Sequence, residues 1–150
     1  MVTIRHATNS DVDRIYELIT AIADHHDQSE YVMTTPADIL KDGFGDDPSF
    51  GVLLAEYDGS VVGYISYTKN YSIWLGRTFL NIDDVYVDAQ CRGLGVGESL
   101  MLEIKNYCSS IGISRIRWEV EKDNYDAIRF YEKLGAKYVE KGVFGWDVSN

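Results

Sequence analysis

Three glycines at alternate positions, between a β-branched run and an amphipathic helix, constrain this chain more than any other feature. The segment Arg92–Gly97 follows the strand-like run Thr78–Val87 and precedes apolar residues at helical spacing that continue to Ile111, with Gly112 as a stop. Glycine lets the backbone approach a ligand closely, and the first turn of a helix offers unpaired N–H groups to an anion. The segment predicts either a strand–loop–helix unit that binds a diphosphate or a simple chain turn.

The two best-known phosphate-binding patterns do not fit this segment. In a dinucleotide pattern G-x-G-x-x-G, the sixth position would be Glu98 when counted from Gly93 and Leu100 when counted from Gly95. The mononucleotide loop also fails, because no Gly-Lys-Ser or Gly-Lys-Thr follows. What matches is Arg-x-x-Gly-x-Gly over residues 92–97.

The remaining pattern predicts one α/β domain over residues 1–150, a mixed sheet with helices on its faces. An Asp58-Gly59 turn predicts a hairpin, and 71–77 is predicted to be a loop with an aromatic cluster. The predicted strands are Val2–His6, Phe50–Tyr57, Ser60–Thr68, Thr78–Val87, Ser114–Val120, Ala136–Val139 and Gly142–Val148. The predicted helices are Val12–Asp24, Pro36–Gly43, Val96–Ile111 and Asn124–Leu134.

Composition narrows the classes of partner. The 14 Lys and Arg against 24 Asp and Glu give a net charge of −10; nucleic acid is therefore a poor partner, whereas a cationic substrate is favoured. No apolar run is long enough to span a membrane, and we see no signal peptide. Cys91 and Cys108 form no disulfide framework or zinc spacing. We expect a cytoplasmic protein with reduced thiols, no metal, and no nucleic acid or membrane partner.

Two segments of the chain resemble the signatures of the Gcn5-related N-acetyltransferase (GNAT) superfamily. Asp83–Gly97 is similar to its acetyl-CoA-binding motif, and Asn124–Ala136 to its second signature, an Asn-opened helix with a Phe-Tyr pair. Asp42–Gly45, Trp74–Arg77 and Gly145–Trp146 resemble segments of the spermidine/spermine (diamine) acetyltransferase-like group. The resemblance implies a central, mostly antiparallel mixed sheet with helices on both faces and a splayed pair of fourth and fifth strands.

The resemblance also implies which residues bind coenzyme A. Backbone amides of the glycine segment would hold the pyrophosphate, and the strand backbone at Val85 and Val87 would pair with the pantetheine arm. Arg92 would approach a phosphate, unless it is only a solvated loop residue. The candidate cofactor-binding residues are Val85, Tyr86, Val87, Arg92, Gly93, Leu94, Gly95, Val96, Gly97, Glu98, Asn124, Ala127 and Tyr131.

Two catalytic residues follow from the resemblance. Tyr131 would protonate the departing coenzyme A thiolate, since a phenol with a reference pKa of about 10 keeps its proton at pH 7; otherwise it is a core aromatic. Asp83 would contact the substrate amine, which must lose a proton before it attacks a thioester. Strand alternation predicts that Asp84 points to the opposite face. The alternative is a solvated pair of acids.

The candidate substrate-binding residues differ in part from the diamine group. They are His25, His26, Trp74, Asp83 and Asp84. His25 and His26 stand where that group has a Tyr-Glu pair, while Ser72 and Phe144 replace acids. Because these acids would read further charges of a polyamine, a shorter amine, an amino-acid side chain or a sulfur-containing lysine analogue fits equally well. His26 could serve as a base or lie at the surface.

The resulting functional prediction is an acetyl-CoA-dependent N-acetyltransferase of a small cationic primary amine. Direct attack in a ternary complex is expected, because no Cys stands beside Tyr131 in either signature to accept the acetyl group. The resemblance also implies a homodimer. The alternatives are a peptide or protein N-acetyltransferase and a non-catalytic acyl-CoA-binding regulatory module.

Overall fold

The computed structural model describes residues 1–149. A single five-stranded sheet has the order β1-β2-β3-β4-β5, antiparallel throughout except for the parallel pair β4 and β5. The strands are β1 (Val2–His6), β2 (Gly51–Tyr57), β3 (Ser60–Ser72), β4 (Arg77–Val87) and β5 (Ile116–Trp118). The helices are α1 (Val12–His25), α2 (Pro36–Gly43), α3 (Val96–Ser110) and α4 (Tyr125–Lys133). The predicted mixed, mostly antiparallel sheet is confirmed.

Local capping explains where α2 begins. The Thr35 hydroxyl accepts a hydrogen bond from the Asp38 N–H at 3.2 Å, and the Asp38 carboxylate accepts one from the Thr35 N–H at 3.1 Å. This capping box satisfies two donors that the helix itself leaves unpaired, and Pro36 at the first helical position has no N–H to satisfy. α2 therefore begins where the sequence predicts.

Helices α1 and α2 cover one face of the sheet. Ile15, Leu18 and Ile39 form a buried cluster with Leu54 and Tyr64 of the sheet. Neighbouring strand residues point to the opposite face, and the strands contact α3. The buried side of α3 consists of Val96, Leu100, Met101, Ile104 and Cys108. The prediction of helices on both faces is confirmed.

The sheet differs from the sequence prediction mainly at the ends of β3 and β5. β3 continues to Ser72, which pairs with Arg77, so the predicted loop 71–77 shrinks to a tip at 73–76. β5 has only three residues, and its pairing with β4 ends at Ile82. From Asp83 onward, therefore, no described strand pairs with the second edge of β4. This is the splayed geometry that the resemblance implies.

The chain divides into two compact units, Met1–Trp118 and the part from Glu119 onward. The second unit contains α4, and its described residues after α4 form no helix or strand. The prediction of strands at Ala136–Val139 and Gly142–Val148 is wrong for residues up to 149. Phe144, Trp146 and Val148 are almost fully exposed, and an apolar alternation without a neighbouring strand cannot form a sheet. The single domain over 1–150 stays a prediction.

Within residues 1–149, no helix combines the length and apolarity needed to cross a membrane.

Candidate active site

The glycine segment forms a loop that leads into α3 and contains two residues in the left-handed backbone conformation. Gly93 and Gly95 have φ values of 81° and 80°, a conformation that side chains with a Cβ rarely adopt. Gly95 is the cap of α3, and a Cβ added at either glycine would meet no atom within 4 Å. Packing therefore does not explain these two glycines. What requires them is the backbone path and the open surface it creates.

This loop presents a row of unpaired backbone donors. Among the described residues, no acceptor pairs with the N–H groups of residues 93–98; the first bond of the helix runs from the Ser99 N–H to the Gly95 carbonyl at 3.0 Å. Buried Val96 and Leu100 anchor the first turn to the core. Leu94 and Glu98 are exposed beside it. A fixed row of N–H groups at the positive end of a 15-residue helix fits a diphosphate.

Arg92 lies against the end of β4. Its Nε donates to the Val87 carbonyl at 3.0 Å, and its guanidinium carbon is 5.6 Å from the centroid of the Tyr86 ring. These exposed contacts link the loop to the strand. The Val87 carbonyl has a protein partner in this arrangement.

The middle of β4 contains a β-bulge at Asp83. Asp84 pairs with Ser66 and Ile82 pairs with Tyr67, so Asp83 has no partner residue on β3. A bulge shifts the alternation of the strand by one residue and redirects side chains, and bulges are common beside active sites. The bulge changes the expected placement of the two acids.

Asp83 and Asp84 lie on the same face of the sheet. Asn81 and Asp84 pair with Thr68 and Ser66, which share one face of β3. The Asn81 amide also donates to Asp83 Oδ1 at 3.0 Å, which places the Asp83 side chain on that face. The prediction that the acids point to opposite faces is wrong, because sequence alternation takes no account of the bulge.

Asp84 is the more enclosed of the two acids. The hydroxyl of Tyr64 donates to its Oδ2 at 3.1 Å. Burial raises the pKa of Asp84, whereas Tyr64, Ser66 and the charge of His26 act in the opposite direction. Burial also raises the pKa of Asp83, and the nearby Asp84 charge raises it further. The charge of Asp84 therefore disfavours ionisation of Asp83.

The structure brings some of the candidate substrate residues together and separates others. His26, at the end of α1, is close enough to influence Asp84, and its ring contacts that of His25 at 5.3 Å between centroids. Trp74, by contrast, is 98% exposed at the tip of the β3–β4 hairpin. The acidic cluster of the first unit therefore consists of Asp83 and Asp84, with Tyr64 behind it and His26 nearby.

Sequence reasoning missed Tyr64. The hairpin signal at Asp58-Gly59 relates β2 to β3, but nothing in the sequence relates β3 to β4 closely enough to place Tyr64 against Asp84. A weaker signal in the sequence was Gly63, a glycine inside a strand-like run. In the structure, a Cβ at Gly63 would lie 2.7 Å from the Tyr86 carbonyl oxygen. Such a close approach of two strands marks Gly63 as a packing requirement beside the site.

The remaining candidates belong to the second unit. Asn124 Oδ1 accepts the Ala127 N–H at 3.3 Å and so caps α4. Tyr131 is half-buried on this helix, and burial raises its pKa. Its hydroxyl therefore keeps its proton at neutral pH. Both facts suit the second signature, and both residues stay candidates.

Within the described part of the chain, no group of three or more His, Cys, Asp or Glu residues is arranged to hold a metal ion.

Comparison with known proteins gives the same family on three grounds. Residues 12–136 match the Acetyltransferase (GNAT) family. Thialysine N-epsilon-acetyltransferase of Sus scrofa is 32% identical over 97% of this chain and 89% of its own length. Spermidine/spermine N(1)-acetyltransferase-like protein 1 of Homo sapiens is 31% identical over 89% of this chain and 20% of its own. A possible acetyltransferase from Clostridium difficile 630 superposes with a TM-score of 0.84 at 28% identity, covering 100% of this chain and 99% of that one.

The chain therefore belongs to the GNAT acetyltransferase family. Its fold, the two signatures and the named relatives define an acyl-transferring enzyme, an N-acetyltransferase that acts on amines. Its relatives support the diamine acetyltransferase-like group within that family.

Proposed function

We propose that this enzyme transfers an acetyl group from acetyl-CoA to a primary amine of a small cationic substrate, such as a diamine, a polyamine or an amino-acid side chain. The observation that carries the proposal is the row of unpaired N–H groups at residues 93–98, at the start of α3. The acidic cluster on β4 supplies the second half of the proposal, because it is suited to bind an ammonium group.

The first unit would supply the donors that bind coenzyme A. The amides of Gly93 to Gly97 would hold the diphosphate, and Arg92 would gain a phosphate as a partner within reach of the loop. Val85 would offer its backbone along the edge of β4 that β5 leaves unpaired. When bound, acetyl-CoA supplies an acetyl group activated as a thioester.

The acidic cluster would bind the amine and take its proton. An alkylammonium ion cannot attack a carbonyl until it is deprotonated, and Asp83, directly or through water, is the proposed acceptor. The neutral amine nitrogen would then attack the acetyl carbon and lose its second proton to solvent, and the carbon–sulfur bond would break to release the coenzyme A thiolate. Holding both reactants side by side would provide much of the rate enhancement.

Tyr131 is the proposed donor of the last proton. The family motif supports this role, and the raised pKa of the phenol keeps the proton available to a thiolate at neutral pH. Replacing Tyr131 by Phe should reduce kcat at neutral pH by about 100-fold, within the range of general acid catalysis. Full turnover of this variant at every pH would remove Tyr131 from the proposal.

The substrate is proposed to be short. The relatives include an enzyme named for thialysine and one named for spermidine and spermine, but Ser72 and Phe144 stand where acids would read additional charges of a polyamine. A lysine-like side-chain amine or a short diamine carries few charges and suits the pair Asp83 and Asp84. The net charge of −10 would favour the approach of any such cation.

We also propose a cytoplasmic homodimer. Cys91 and Cys108 are free and buried, which suits a reducing compartment. Trp74 at the hairpin tip and Trp146 near the end of the chain are exposed apolar side chains that a second copy could cover. Sedimentation of the purified chain tests the dimer.

A coenzyme A release assay tests the function. Short diamines, polyamines, lysine, thialysine, aminoglycosides and peptides are compared at equal concentration. We expect the highest kcat/KM for a short diamine or a lysine-like amine. Preferential turnover of peptides would favour a protein acetyltransferase, and coenzyme A binding without turnover of any amine would favour a non-catalytic acyl-CoA-binding module.

A further inference from the structure

Tyr64 is a fully buried tyrosine whose hydroxyl reaches the acidic cluster. Its side chain is 0% exposed and lies in the apolar cluster with Ile15 and Leu54. A buried hydroxyl needs a hydrogen-bond partner, and that partner is Asp84 Oδ2 at 3.1 Å. One end of Tyr64 is thus held by the core between α1 and the sheet, and the other end contacts a candidate substrate residue.

This contact restrains Asp84 and leaves part of its carboxylate available. A carboxylate offers about four lone-pair directions; Tyr64 occupies one on Oδ2, and the Ser66 hydroxyl is a second neighbour. The capacity that remains can accept an N–H of an ammonium ion. Asp83, in contrast, is on the bulge and is held by the exposed Asn81 contact. Asp84 is therefore the acid whose orientation the core determines.

The groups around Asp84 determine in which direction the Tyr64 hydroxyl shifts the pKa of Asp84. The titratable groups that interact with Asp84 are Asp83 on β4, Tyr64 on β3 and His26 after α1, and Tyr86 of β4 acts on Tyr64. Burial raises the pKa of Tyr64 far above neutrality, so its hydroxyl stays protonated and always donates. Donation to the ionised carboxylate favours that form, against the burial that disfavours it.

We infer that Tyr64 is a positioning residue, which holds the Asp84 carboxylate ionised and oriented so that it binds the ammonium group of the substrate. This inference rests on the proposed amine acetyltransferase function. It assigns a different role to each acid. Asp84 binds the cation from a fixed position, and Asp83 on the bulge accepts the proton.

Replacing Tyr64 by Phe removes only the hydroxyl and keeps the buried ring. Loss of a hydrogen bond to a charged group should raise KM for the amine about tenfold, with KM for acetyl-CoA unchanged. Because the pKa of Asp84 rises without its donor, the acidic limb of the kcat/KM profile should move to higher pH. A KM for acetyl-CoA that rises in parallel would indicate a merely structural role and overturn the inference.

Tyr67→Phe is the matched control. Tyr67 is also buried on β3, but its hydroxyl partner is Tyr107 of α3, on the other face of the sheet. This variant should leave KM for the amine and the pH profile as in the wild type. In an Asp84→Asn background, Tyr64→Phe should add no further increase in KM. An undiminished increase there would show that Tyr64 does not act through Asp84.

A measurement without substrate tests the role of Tyr64 independently of the proposed acetyltransferase function. Carbon-13 NMR of the Asp84 carboxyl in the free protein should give a higher pKa in Tyr64→Phe than in the wild type or Tyr67→Phe. An equal pKa in all three would overturn the inference even if the enzyme acetylates amines. If the wild type acetylates no amine, the proposed function fails, and the inferred role in binding substrate fails with it, whatever the titration shows.

Discussion

The two halves of the candidate site are built in different ways. The loop at residues 93–98 offers main-chain N–H groups on an exposed surface, shaped by glycines with positive φ. The acidic cluster offers side chains on the sheet face that α1 covers, placed by a β-bulge and by contact with the buried Tyr64. Diphosphate recognition therefore depends on backbone conformation, whereas amine recognition depends on strand register and side-chain chemistry. Variants that affect one half should leave the other intact.

The largest expected effect comes from the loop. Gly95→Val places a branched side chain at φ 80° and disturbs the row of donors. Loss of two or more charge-assisted hydrogen bonds should weaken acetyl-CoA binding about 100-fold, measured by calorimetry. Gly59→Val is the matched control, because Gly59 has φ 78° in the Asp58-Gly59 turn and also has no atom near an added Cβ. Equal loss of affinity in both variants would contradict the assignment of the loop.

The second largest effect is expected from a variant of the acidic cluster, which should leave the loop at residues 93–98 unaffected. Asp84→Asn removes the charge held by Tyr64 and should lower kcat/KM for the amine about 30-fold, as expected for a lost hydrogen bond to a charged group. Calorimetry should show unchanged acetyl-CoA binding. A fall in acetyl-CoA affinity of similar size would mean that the two halves are not independent.

A smaller effect is expected at Arg92, which lies between the halves. Its contacts with the Val87 carbonyl and the Tyr86 ring are exposed. Arg92→Ala should weaken acetyl-CoA binding about fivefold, because a solvated charge contributes about 1 kcal/mol, and Arg92→Lys should recover part of it. Calorimetry at two salt concentrations checks this, since the difference should shrink at high salt. No change at low salt would remove Arg92 from the cofactor site.

The smallest effect on binding is expected from a variant that touches neither half. Arg5 contacts Asp11 at 2.8 Å and lowers the pKa of that carboxyl to about 2. Because the pKa is lower in the folded state than its ordinary value of 3.8, the stabilisation is present above 3.8 and is lost as the pH falls towards 2. Asp11→Asn should reduce the free energy of unfolding at pH 7 by about 1–2 kcal/mol.

This last variant should keep wild-type affinity for both substrates. Urea unfolding at pH 7 and pH 2.5 measures the loss, which should be larger at pH 7. A loss of equal size at both values would contradict the assigned ion pair, and a change in substrate affinity would show that stability and binding are coupled.

The loop could be predicted from the sequence and the geometry of the acidic cluster could not, because the loop depends on glycines and the cluster depends on strand register. Glycines with a backbone role are visible as residues, so the loop and the start of α3 were predictable from residues 92–97. The bulge at Asp83 is a relation between two strands, and no single residue reports it. Alternation therefore put Asp83 and Asp84 on opposite faces, and Tyr64 was not recognised as their neighbour.

Strand ends were predicted less well for a similar reason. Polar residues at Lys69 and Asn70 give no apolar alternation, yet β3 continues through them because β4 pairs with it. The segment Gly142–Val148 shows the opposite case, since its apolar residues alternate but no described strand pairs with it. In both cases the partner strand, rather than local propensity, decides the outcome.

The most direct test of the account is a titration of the nitrogen-15-labelled protein with coenzyme A, followed through the backbone amide signals. The amides of residues 93–98 should show the largest shifts, and those of Tyr64 and Asp84 should respond mainly to the amine. Saturation with coenzyme A that leaves the amides of residues 93–98 unshifted would contradict the claim that this loop holds the diphosphate.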